Sequence, residues 1–293
     1  MKELVKDPVE RKQKNASPLP YHGWVGPCEQ VSLLYVGFGV RDASNYDSVK
    51  NFAQLMWPDG HPQFSDTIHT LATQMEELNN LVWLTLIDSY GLEEESLKMI
   101  YKTLVRMMKY MSPPPGEYKS GLHSHTNKPV STLICEDQIS GLEVEVNDNQ
   151  WIMLSNLSPS SFIFVVGDPL KAWSNGRLKS VNHRVMMSGD KDRYSIAAFV
   201  IPNEGIIIKT PKEFIYDQHP RLFMDFDFMD FFHFAFSDLE KLIDSGFQDH
   251  FFLKFRWETA MEEGLELVFH ILASSKFNSC FFHEIFIYLD FYN

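Results

Sequence analysis

The stretch Gly121-Leu-His-Ser-His-Thr-Asn127 places His125 and Asn127 two positions apart. In an extended strand, side chains i and i+2 share a face, so these two are expected to point to one place. Further along, Asn182-His-Arg-Val-Met-Met187 supplies His183, and Arg193-Tyr-Ser195 follows it. A second strand would bring His183 beside His125 and complete a triangle of donors around one cation. Arg193 carries a planar fork of N–H donors that grips a carboxylate with two parallel hydrogen bonds, and Ser195, again at i+2, adds a hydroxyl on the same face.

Around this pattern lie short apolar or alternating runs at 105–111, 130–135, 142–146, 151–154, 162–166, 183–187, 194–201 and 206–209, separated by Gly, Pro, Asn, Asp and Ser. Eight short strands at near-regular spacing predict a sandwich or closed double sheet rather than βαβ units. Gly-Asp at 167–168 and 189–190 reads as turn chemistry. Helices come first. Residues 1–14 read as the end of a polar helix or an entry loop. Asp47 is the expected N-cap of a short helix over 47–57, which Pro58 ends. Ile68, Leu71, Met75, Leu78 and Val82 repeat at helical spacing within 63–90, with Gly91 as the stop. A further helical stretch is expected over 93–104.

The order, helices then strands, predicts an α+β fold: a double-stranded β-helix (jelly roll) inside an α-helical wrapper. Three regions follow: a helical and loop region 1–104, the jelly-roll core 105–210, and a helical, Phe-rich extension 211–293. Most of the 24 Phe fall after residue 222. No internal repeat is visible.

Composition narrows the partners. The 293 residues, 44% hydrophobic, suffice for one sizeable core. A net charge of −13 without a basic stripe argues against nucleic acid or an anionic membrane surface. No run of about 18 apolar residues would span a bilayer. Cys28, Cys135 and Cys280 lack CxxC spacing and read as reduced thiols, and the charged first residues lack an apolar signal core, so a cytoplasmic monomer is expected.

The layout of His125, residue 127, His183, Arg193 and Ser195 resembles the iron(II)- and 2-oxoglutarate-dependent dioxygenases. Pro20-Tyr-His-Gly-Trp-Val-Gly26, Leu55-Met-Trp-Pro-Asp-Gly60, Lys109-Tyr-Met-Ser-Pro-Pro114, Ala172-Trp-Ser-Asn-Gly-Arg-Leu178 and His183-Arg-Val-Met-Met187 are similar to plant members of the AOP type, over roughly 1–236. The resemblance implies iron(II) held by His125, residue 127 and His183. It implies 2-oxoglutarate held by Arg193 and Ser195, with Tyr110 adding a hydroxyl, and no catalytic side chain beyond the metal site. A two-histidine, one-carboxylate triad with open positions suits iron(II) and oxygen. The implied activity is hydroxylation or desaturation of a small plant specialised metabolite by O2, supported by ascorbate. The family has a further N-terminal segment before the point where this sequence begins, and residues after about Ser237 no longer follow its ending. A truncated product, poorly soluble through an open sheet edge, is the expectation.

Position 127 departs from the family, which has Asp there. Asn removes one negative charge at about 2 Å from the metal, a gross loss of about 8 kcal/mol at an effective dielectric of 20, partly offset by the smaller desolvation cost. Three outcomes follow. The amide oxygen ligates and activity is reduced; or the chemistry fails, leaving an inactive relic that binds a metabolite or partner; or an exogenous anion enters, as in halogenases. The third is disfavoured because Asn is larger than the Gly or Ala that makes room for chloride. His123 also lies at i−2 from His125, but a pocket-edge role is favoured over ligation. Trp173, Phe162 and Phe164 are candidate lining, with core packing favoured for both Phe.

Overall fold

The computed structural model describes residues 1–147, 149–155, 157, 158 and 161–237, together with the backbone strands Gly264–Ile271 and Ile285–Tyr292. The chain passes through a 3-10 turn (Leu4–Lys6) and helix α1 (Val9–Lys12) to strand β1 (Tyr35–Val40), then helices α2 (Tyr46–Met56) and α3 (Pro62–Ser89). Strands β2 (Tyr101–Tyr110), β3 (Lys119–His125), β4 (Ser131–Glu136), β5 (Leu142–Asn147), β6 (Gln150–Met153) and β7 (Phe162–Val166) follow. Next come helix α4 (Asp168–Trp173), β8 (His183–Met187) and β9 (Arg193–Pro202). The rest is β10 (Ile207–Ile208), β11 (Phe226–Asp227), helix α5 (Phe228–Ser237), β12 (Gly264–Ile271) and β13 (Ile285–Tyr292).

Two sheets form the jelly roll. One runs β1-β2-β9-β4-β7-β13-β12 and the other β3-β8-β5-β6. Pairing is antiparallel except between β13 and β7. Period-two alternation sorts the large sheet onto two cores. In β7, Phe162, Phe164 and Val166 face the helical layer, while Ile163 and Val165 face the space between the sheets. Likewise Met107 of β2 packs toward the helices, and Met108 and Tyr110 pack inside. A strand buried on both faces reads as an unbroken apolar run, as Phe-Ile-Phe-Val-Val does.

Helix α3 covers the back of this sheet with Ile68, Met75, Leu78 and Val82, all buried as their spacing predicts. It is also tied by polar links. Trp83 Nε1 donates to Ser131 Oγ at 3.1 Å, and Ser131 Oγ donates to Asn79 Oδ1 at 2.7 Å. Its N-cap is His61, whose Nδ1 accepts from Phe64 N–H, with Pro62 following. Gly91 closes it at φ +65°.

Several expectations need correction. Asn45, not Asp47, caps α2, accepting Asp47 N–H at 3.0 Å; Asp47 sits in the first turn, where the helix dipole favours an acid. The helix expected over 93–104 is only a 3-10 turn, Glu94–Leu97, because residues 101–110 pair with β9 along their whole length, and sheet pairing overrides local propensity. Asp168 opens α4 instead of a turn, whereas Gly189, at φ +77°, is one. Strand β1 escaped notice because Gly37 and Gly39 weaken its β signal. Both glycines are needed. A Cβ on Gly37 would meet Tyr35 Oη at 2.3 Å and Arg106 Nη2 at 2.6 Å, and one on Gly39 would meet the His22 carbonyl at 2.4 Å. Beyond residue 211, α5 is a Phe-rich helix, but β12 and β13 are strands where helix was expected. Cys28 and Cys135 are free thiols; Cys280 lies outside the described residues. Among the described residues no helix is long and apolar enough to cross a membrane.

Candidate active site

Strands β3 and β8 bring the two predicted histidines together. His125 and His183 are register partners, with ring centroids 4.3 Å apart and planes inclined by 47°. Each ring is held the same way. His125 Nδ1 donates to the His123 carbonyl at 2.8 Å, and His183 Nδ1 to the Val181 carbonyl at 3.2 Å. A carbonyl only accepts, so Nδ1 carries the proton and each Nε2 keeps a bare lone pair, the form that ligates a metal. Burial pushes the His125 imidazole down to about 3, with His183 beside it adding to the effect, and burial also lowers His183. Both rings are neutral near pH 7.

Asn127 is positioned differently from what strand alternation predicts. Strand β3 has register irregularities after Ser120 and ends at His125, so Asn127 lies in the loop beyond it. Helix α4 holds that loop: Asp168 N–H donates to the Asn127 carbonyl at 2.8 Å. The Asp168 carboxylate accepts from Thr126 Oγ1 at 2.8 Å and from Lys128 Nζ at 2.6 Å. Burial alone would raise the Asp168 carboxyl, but Lys128, by charge and hydrogen bond, brings it below the usual range. Asn127 is 4% exposed, and its Nδ2 is buried without a hydrogen-bond partner. Among the described residues no group of three or more His, Cys, Asp or Glu is placed to hold a metal ion. The two neutral imidazoles fit a divalent cation in kind of donor, whereas the unpartnered Asn127 atom, Nδ2, is a hydrogen-bond donor and position 127 lacks the anionic ligand.

Arg193, Ser195 and Tyr110 also come together. Arg193 pairs in register with Tyr110, its guanidinium lies 5.0 Å from that ring centroid, and Nη1 reaches Ser195 Oγ at 3.5 Å. Arg193 is 1% exposed. Tyr110 Oη donates to Met108 Sδ at 3.5 Å, and burial pushes the phenol up to about 12, with Tyr35 adding to the rise and Arg193 opposing it. The sequence reading missed Glu136. It lies at the end of β4, opposite Ser195, and ion-pairs with Arg193 Nη2. Burial raises its carboxyl against the opposing pull of Arg193. Only the register of β4 against β9 reveals this contact.

A cavity of about 560 Å³ opens beside His125, lined also by Asn127, Asp168, Met108 and Arg106, with α5 supplying Phe232 and other aromatics. His123 sits at its edge with Nε2 against the Glu29 carbonyl at 3.1 Å, the expected pocket-edge role. Trp173 is not lining: it is 3% exposed in the helical core and donates to the Ser96 carbonyl at 2.7 Å. Phe162 and Phe164 belong to the same core.

A jelly roll that presents two paired imidazoles and a buried Arg–Ser pair defines the 2-oxoglutarate-dependent oxygenase class. The profile of the 2OG-Fe(II) oxygenase superfamily matches residues 102–202. The chain is 39% identical over 255 residues to the probable 2-oxoglutarate-dependent dioxygenase AOP1 of Arabidopsis thaliana, covering 84% of this chain and 77% of that one. It is 27% identical over 331 residues, 83% of this chain and 82% of the relative, to an Arabidopsis AOP2 described as a probable inactive 2-oxoglutarate-dependent dioxygenase. The fold superposes on the Arabidopsis dioxygenase for auxin oxidation 1, solved as a 2-oxoglutarate complex, with a TM-score of 0.67 and 27% identity over 75% of this chain and 82% of that one. The chain therefore belongs to the iron(II)- and 2-oxoglutarate-dependent dioxygenase family, with AOP-type plant enzymes among its relatives.

Proposed function

We propose that this chain binds 2-oxoglutarate and a divalent iron and oxidises a small plant metabolite, with turnover impaired by Asn127. The carrying observation is the register-paired, neutral His125 and His183, each with Nε2 bare, beside an amide at position 127. His125, His183 and the Asn127 amide oxygen would hold the iron. Bound with 2-oxoglutarate, that iron supplies the activation of O2 for hydroxylation or desaturation.

The chain's own residues do the rest. The carbonyls of His123 and Val181 fix both tautomers. Arg193 and Ser195 would grip the distal carboxylate of the co-substrate, with the Tyr110 hydroxyl close by. The Lys128–Asp168 pair anchors the loop that carries position 127. The Phe-rich face of α5 walls the cavity and limits water at the reacting carbon. Arg193, already ion-paired to Glu136, favours a second reading: a non-catalytic relic that binds a metabolite without turnover.

Anaerobic calorimetric titration with iron(II) tests the metal site. Asn127→Asp is expected to raise affinity at least tenfold, and equal affinities would overturn the proposal. Succinate release with iron, ascorbate and candidate substrates separates the two readings: the first requires slow release that Asn127→Asp accelerates, and none from either form selects the relic.

A further inference from the structure

Arg106 on β2 is 3% exposed and lines the cavity, yet among the described residues no carboxylate pairs with it. Its neighbours are neutral. Nη1 donates to the Gly23 carbonyl at 3.2 Å, Nη2 donates to Tyr35 Oη at 2.8 Å, and the Tyr21 ring centroid lies 5.7 Å from the guanidinium carbon. Two of its five N–H donors are used in these bonds, and among the described residues no further acceptor for the other three is seen. A buried guanidinium without a counter-ion is costly, and structures keep such a group when something outside the chain completes it.

The surroundings are built to hold that cation in place. Gly37 leaves the space that Tyr35 Oη and Arg106 Nη2 fill. Tyr21 lies against Arg106 and takes a left-handed backbone, φ 60°. His22, 4% exposed and also lining the cavity, donates Nδ1–H to the Pro20 carbonyl at 2.8 Å, so its Nε2 is an acceptor, and that atom is buried without a partner. The charge balance is as telling. Of the charged groups lining the cavity, Lys128 and Asp168 neutralise each other, which leaves Arg106 as one uncompensated positive charge inside a chain of net charge −13.

Register fixes where this charge lies. Arg193 pairs with Tyr110 and Arg106 with Ala197, so the two arginines stand four residues apart along the β2–β9 ladder, about 13 Å. Their guanidinia contact different tyrosines: that of Arg193 lies over the Tyr110 ring, and Arg106 donates to Tyr35 Oη. The two guanidinia are separate anion sites with Tyr110 and Tyr35 between them, their rings 5.5 Å apart.

We infer that the cavity's organic ligand is an acid: its carboxylate or equivalent anionic group docks on Arg106 and Tyr35, and its apolar body lies along Met108 and the α5 aromatics toward His125. This names the substrate class for the function proposed above and rests on that reading only for turnover, since the binding itself needs neither iron nor 2-oxoglutarate. Arg106 is a specificity residue and Tyr35 positions it.

The test is binding to the metal-free protein, followed by intrinsic tryptophan fluorescence and calorimetry. The probes are phenylacetate, 3-phenylpropionate and cinnamate, each against its primary amide. At least one acid is expected to bind saturably and at least tenfold more tightly than its amide. Arg106→Gln should abolish that preference, Arg106→Lys should keep part of it, and Tyr35→Phe, the mildest change, should weaken it several-fold with the fold intact by circular dichroism. Equal binding of acid and amide, a preference that survives Arg106→Gln, or no saturable binding by any acid overturns the inference. Parallel titration with 2-oxoglutarate keeps the two questions apart: loss of that binding alone removes the co-substrate site and leaves the Arg106 site standing.

Discussion

Arg193 on β9 and Glu136 on β4 form a buried ion pair beside Ser195, at the position where the family's co-substrate carboxylate is expected. The guanidinium is therefore neutralised by the chain itself, and 2-oxoglutarate held by Arg193 as proposed above would have to share or displace an internal carboxylate. A tenfold change in affinity is about 1.4 kcal/mol, within what one charge-assisted hydrogen bond contributes.

Glu136→Gln should accordingly raise affinity for 2-oxoglutarate several-fold. The same change leaves Arg193 without its counter-charge, so the ligand-free variant should be less stable by about 3 kcal/mol. Thermal unfolding with and without 2-oxoglutarate reads both effects. The midpoint falls in the ligand-free variant, and the ligand-induced rise exceeds that of the parent. A smaller rise in the variant would show that Glu136 helps the site instead of competing for it.

Asp168→Asn probes the loop that carries position 127. The folded Asp168 carboxyl lies below its ordinary value because Lys128 outweighs burial. A group depressed on folding stabilises above its unfolded pKa, near 4, and that contribution is lost as pH falls through the folded value. At pH 7 the variant should lose about 3 kcal/mol, because Lys128 is left with a charge that nothing balances. Denaturant midpoints measured down the pH scale should converge for the two forms below about pH 4. A gap that stays constant with pH would mean that the charge of Asp168 is irrelevant and only its shape counts.

Phe232→Ala tests whether α5 is a wall of the cavity or a loose cover. The ring is 2% exposed and packs against His22, Phe228 and Phe236, with centroids 5.5, 5.7 and 4.7 Å away. Truncating such a ring costs about 3–5 kcal/mol. Urea unfolding should show the midpoint falling with the slope unchanged. A loss under about 1 kcal/mol would remove α5 from the structural core.

Much of the site was written in the sequence because its signals are local. His125, His183, Arg193 and Ser195 were legible as motifs, and the strands that carry His183 and Arg193 have the alternation that puts those residues inward. Glu136, Arg106 and the Lys128–Asp168 pair were not legible. Each gains its meaning from a partner distant in sequence, and a lone Glu or Arg on a strand carries no sign of which neighbour it will face.

The chain alone determined the class of fold, since period-two and period-3.6 patterns follow from backbone geometry. It also determined that an amide stands at position 127. The tertiary structure decided that α4 holds the backbone of Asn127 beyond the strand end, that Glu136 occupies the side of Arg193, and that Arg106 has no carboxylate partner among the described residues. Register and packing set these relationships. Coulomb energies depend on distance and burial, and neither exists until the two sheets close on each other.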